Sequence, residues 1–73
     1  MSKSSLGTKT AINEYWLSAA YAGKGDKEKA LASLQEALKL GYGDFGALDA
    51  SSYFASLRDD PRYKRLVQQY RKK

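Results

Sequence analysis

Residues 11–44 read AINEYWLSAAYAGKGDKEKALASLQEALKLGYGD, two periodic runs separated by a glycine-rich break. In the first run Ala11, Ile12, Tyr15, Trp16, Ala19 and Ala20 recur at spacings of three and four, which predicts a helix over 11–22 and excludes the alternation of a strand. Thr10 supplies a hydroxyl to cap its first turn, and Gly23 to Gly25 form the turn that ends it. Asp26 then stands where an N-cap belongs, its carboxylate able to accept from free backbone N–H groups and to favour the positive end of the helix dipole. The second run, Lys27 to Leu40, places Ala30, Leu31, Leu34, Ala37 and Leu38 on one stripe about 100° wide. Lys29, Gln35, Glu36 and Lys39 fall on the solvated side.

Outward from this hairpin the pattern is interrupted by Gly41, Tyr42 and Gly43. Asp44 caps a short helical turn holding Phe45, Ala47 and Leu48, which Gly46 weakens. Ser51 to Arg58 carries Tyr53, Phe54 and Leu57 on one or two turns too brief to stand alone. Asp60-Pro61 starts a last helix, because proline at the first helical position lacks only an N–H that would be unpaired anyway. In it Tyr63, Leu66, Val67 and Tyr70 occupy i, i+3, i+4 and i+7, an apolar face opposite a basic one.

The pair of helices with a glycine-Asp turn resembles a single tetratricopeptide repeat, a helix-turn-helix unit of about 34 residues. Across 11–44, Leu17 and Tyr21 fall at the family's first-helix core positions, Gly25-Asp26 at its turn, and Ala30 and Ala37 at its small second-helix positions. Independently of the resemblance, helices approach closely only where side chains are short, as Ser18, Ala30 and Ala37 are. The chain departs from the family where Glu14 replaces a tryptophan, Leu34 an aromatic residue and Tyr42 the closing proline. The reading implies that Leu17, Tyr21, Leu31, Leu34 and Leu38 meet in one dry seam. The 53–63 segment resembles, more loosely, the closing segment after the last repeat of some bacterial repeat proteins and repeat-tailed signalling enzymes.

One repeat cannot bury both of its faces. The expectation is an all-α domain over 10–73 in which a TPR-like hairpin (11–44) is covered by a C-terminal cap (45–73), after a lead of residues 1–9. The cap buries Leu48, Tyr53, Phe54, Leu57, Tyr63, Leu66, Val67 and Tyr70. Pairing with a second copy is the alternative cover, so the oligomeric expectation is a monomer or a weak homo-oligomer.

The resemblance also implies that an extended peptide or helix of a partner protein lies against the first helix, at Ile12, Tyr15, Ala19 and Ala22. Family members that grip a carboxylate terminus use an asparagine where this chain has Trp16, which points instead to an apolar or aromatic contact. For Tyr15 and Trp16 the competing reading is core packing.

Chemistry is scarce. The 73 residues hold no histidine and no cysteine, so thiolate and imidazole catalysis, disulfides and the usual soft-metal ligands are excluded. Asp44, Asp49, Asp59 and Asp60 lie near helix ends, where capping explains them, without the alternating spacing of a calcium loop. Gly23-Lys24-Gly25 is not a phosphate-binding loop, because no strand precedes it and no Gly-Lys-Ser/Thr closes it. Neither an enzyme nor a cofactor is expected.

No run approaches the roughly 20 apolar residues of a membrane span, and Met1 to Lys9 lacks the apolar core of a secretion signal, so a cytoplasmic location is expected. The net charge of +5 is concentrated in Arg62, Lys64, Arg65, Arg71, Lys72 and Lys73, with no acid among the last twelve residues. Such a cluster attracts RNA, DNA or anionic lipid, or is simply a solvated face with cations well placed at a helix C-terminus. The aromatic residues of this helix lie on its apolar stripe, not between the cations as a base-stacking platform requires. A non-catalytic protein-interaction module is thus the leading expectation, and a small basic nucleic-acid binder the alternative.

Overall fold

The computed structural model describes residues 10–72. They form four α-helices, α1 (Ala11–Lys24), α2 (Lys27–Lys39), α3 (Phe45–Ala50) and α4 (Pro61–Arg71), with 3-10 turns at Ser52–Phe54 and Leu57–Asp59 between the last two. No strand occurs among the described residues, so the fold class is all-α.

The caps act where local chemistry dictates. Thr10 Oγ1 accepts from the Asn13 N–H at 3.2 Å, Asp26 from Lys29 at 3.4 Å, Asp44 from Ala47 at 3.2 Å and Asp60 from Arg62 at 2.9 Å. The first helix runs two residues beyond the expected end at Ala22, and the chain leaves it only at Gly25, where φ is 90°. There the Gly25 N–H donates to the Ala22 carbonyl at 3.1 Å and the Asp26 N–H to the Tyr21 carbonyl at 2.9 Å. This is a Schellman motif, which satisfies carbonyls that a helix end leaves free and needs a residue tolerant of positive φ. α2 closes the same way: Gly41, at φ 111°, donates to Leu38 at 3.1 Å and Tyr42 to Ala37 at 3.0 Å.

α1 and α2 pack as a hairpin, and Ser18, Ala30 and Ala37 are wholly buried, as short side chains at a close crossing should be. Ser18 spends its hydroxyl on the Tyr15 carbonyl at 2.6 Å, so burying it leaves no polar group unmet. Leu31, Leu34 and Leu38 of α2 are buried as expected. Leu17 does not join them. It is 45% exposed, and Tyr21 is only partly buried at the seam's edge. The inner face of α1 consists of Glu14, Tyr15, Ser18, Ala19 and Ala22. At about 100° per residue Leu17 lies roughly 160° round the axis from Tyr15, so the two cannot both face inward.

The segment after α2 folds back over the hairpin. Leu48, Phe54 and Leu57 have no exposed surface, and Tyr63 and Val67 of α4 are buried, with Leu66 and Tyr70 partly so. Tyr53 was expected among them but is 53% exposed. In a tight 3-10 turn, neighbouring residues point to different sides, and Phe54 takes the inward one.

Rings tie these pieces together. The Schellman end of α2 returns Tyr42 onto Tyr15, with centroids 4.7 Å apart and planes at 14°. Tyr15 also meets Phe54 at 5.8 Å, and Phe54 meets Tyr63 at 6.2 Å. The aromatic line therefore runs from α1 through the first 3-10 turn to α4.

Candidate functional site

Of the four residues expected to meet a partner, only Ile12 lies at the surface. Tyr15 is 7% exposed, and Ala19 and Ala22 are buried with it in the core. The expectation is corrected for these three: the chain's own Tyr42 and first 3-10 turn occupy the face on which a peptide was to lie.

A different apolar face is free. Ile12 is 49% exposed and Trp16 58%, and Ala20 and Gly23 continue the line as exposed residues. Positions 12, 16, 20 and 23 are spaced i, i+4, i+8 and i+11, which keeps them on one side of the helix over about 16 Å. Trp16 is held from below, its ring edge-on to buried Tyr15 at 5.2 Å and 66°. At the far end a Cβ built on Gly23 meets Tyr53 Cδ1 at 3.4 Å, so the tyrosine ring lies over bare helix backbone. Tyr53 thereby extends the stripe beyond α1. The sequence does carry a signal for this face, a second apolar periodicity offset by one from Tyr15 and Ala19. Because α1 is apolar almost all round, periodicity alone does not say which side turns outward.

The basic residues divide into two groups. Arg62 is engaged: its guanidinium donates to both Asp60 oxygens at 3.3 and 3.1 Å. Its hydrogen bonds hold the Asp60 carboxyl below the usual carboxylate range, and Asp60 and Glu28 favour the charged guanidinium in return. Arg71 reaches Asp49 only at 3.9 Å, with both side chains more than half exposed, a pair of little strength. Lys64, Arg65 and Lys72 are exposed and form no ion pair among the described residues. Lys73 lies outside the described residues.

Two phenols are perturbed. Burial, then Tyr15 and Asp44 nearby, push the Tyr42 pKa up to about 12. Burial also raises that of Tyr63, with Asp49 adding to the effect and Arg58 opposing it. Among the described residues no three His, Cys, Asp or Glu side chains gather as a metal would need, and no helix is long and apolar enough to cross a membrane.

The class these observations define is a small all-α domain whose free faces are an apolar stripe on α1 and a cationic band on α4. No protein-family model, curated protein or solved structure matches the chain.

Proposed function

We propose that this chain is a non-catalytic interaction module, a tetratricopeptide-like hairpin closed by its own cap, which holds an apolar helix of a partner protein against the outer face of α1. The observation that carries the reading is the exposed, uncharged stripe Ile12-Trp16-Ala20-Gly23, ended by Tyr53. Tryptophan and tyrosine, half buried and seated on rigid helix, are the side chains that anchor protein interfaces. Roughly three helical turns of apolar surface match the i, i+3, i+4, i+7 face of an amphipathic partner helix. The sequence supports the absence of catalysis, since it supplies neither histidine nor cysteine.

The test compares the immobilised wild-type chain with a Trp16→Ala/Tyr53→Ala double variant in capture from nuclease-treated lysate. The reading expects a polypeptide retained by the first and lost by the second at equal helicity. Retention by both, or by neither, refutes it. Light scattering over a concentration series reveals the remaining occupant, a second copy of the chain, by a mass that rises with concentration for wild type only.

A further inference from the structure

We propose that the solvent face of α4 is a second, separate binding surface, a reader of the phosphate backbone of double-helical nucleic acid through Lys64, Arg65, Arg71 and Lys72. At about 100° per residue these cations span an arc of roughly 120° centred on the exposed Gln68, with Arg65 and Lys72 opposite the buried Tyr63 and with Lys64 and Arg71 on the flank beside Val67. Three of the four have no ion-pair partner among the described residues, and the fourth has only a long, exposed contact with Asp49. Their positive charge is therefore directed at solvent and not spent within the fold.

What the face lacks selects the partner. It carries no large exposed apolar side chain, because Leu66 and Tyr70 are drawn toward the core with Tyr63 and Val67. A helix that lies in a membrane surface needs its apolar face free to enter the acyl boundary, and here that face is sealed. A protein interface is centred on apolar or aromatic contacts with charges at its rim, the reverse of this composition. Phosphate backbones ask only for cations and polar donors, the glutamine amide included. An exposed helix of 11 residues, about 16 Å long, also fits the major groove of a DNA duplex lengthwise. Arg62 is left out of the site because Asp60 already holds its guanidinium.

The proposal is tested by fluorescence anisotropy of the whole chain with a labelled DNA duplex, a labelled RNA duplex and, separately, vesicles of phosphatidylserine and phosphatidylcholine. At low salt at least one duplex binds, and affinity falls by roughly a hundredfold between about 50 and about 200 mM salt, as three or four phosphate contacts require. The triple variant Lys64→Glu/Arg65→Glu/Lys72→Glu loses at least about tenfold in affinity with an unchanged circular dichroism spectrum. The milder Lys64→Gln/Lys72→Gln lowers the salt slope by about one per cation removed. Binding to both duplexes means recognition of the backbone alone, and binding to one means that helix form is also read. Binding to vesicles only, no binding at low salt, or full binding by the charge-reversed variant overturns the proposal. The Trp16→Ala/Tyr53→Ala variant should bind duplex like wild type, which separates this surface from the α1 stripe.

Discussion

The ring of Tyr15 touches three separate parts of the chain: Trp16 beside it, Tyr42 beyond the end of α2, and Phe54 in the first 3-10 turn. A side chain so placed joins the hairpin to its cover. Tyr15→Ala is expected to lower unfolding stability by about 3 kcal/mol or more, the range for a buried aromatic residue truncated to alanine, as read from urea denaturation. A variant indistinguishable from its parent would return Tyr15 to the surface. Tyr63 gives the opposite expectation. Its hydroxyl is buried without a hydrogen-bond partner among the described residues, so its burial is a cost that the ring's packing outweighs. Tyr63→Phe keeps the ring and should raise stability by up to about 1 kcal/mol. A loss of similar size would mean that the hydroxyl has found a partner.

At the scale of elements, the glycines of the hairpin are not equivalent. Gly25 and Gly41 sit at φ 90° and 111° and end α1 and α2 with the same pair of backbone hydrogen bonds. An alanine at either place must adopt the left-handed region, at a cost of about 1 kcal/mol or more. Gly23, two residues before Gly25, is still within α1, and a methyl group there makes ordinary contact with Tyr53. Gly23→Ala should therefore gain roughly 0.5 to 1 kcal/mol from helix propensity. Thermal midpoints of the three variants should split, one up and two down. A common sign would rule out this account of the helix ends.

The molecule as a whole should be sensitive to alkali. The phenol of Tyr42, pushed up to about 12, keeps its proton in the folded state when the unfolded chain, with a tyrosine pKa near 10, has already released it. Unfolding then releases a proton, so stability falls as pH rises between those values. The contribution is complete below about pH 10 and gone above about pH 12. Tyr63 is shifted in the same direction and adds to the slope. Urea midpoints measured across this window should decline more steeply for wild type than for Tyr42→Phe, and equal slopes would show that the Tyr15–Tyr42 stack is not closed to solvent.

The helices, their starts and the class of fold follow from local chemistry along the chain. Thr10, Asp26, Asp44 and Asp60 act on backbone N–H groups two or three residues away, so each cap was legible from its own neighbourhood. The α2 stripe and the Tyr63-Val67 face were equally legible, because each of these helices is apolar on one side only. The rotation of α1 about its own axis is set by long-range packing. Apolar residues surround that helix, and which of them turn inward depends on where Tyr42 and Phe54 arrive from elsewhere in the chain. That arrival buried Tyr15, Ala19 and Ala22 and left Ile12, Trp16 and Leu17 outside, so the candidate surface lies round the helix from the face that the family resemblance implies. Periodicity reports that a face is apolar, and long-range packing chooses which apolar face is covered.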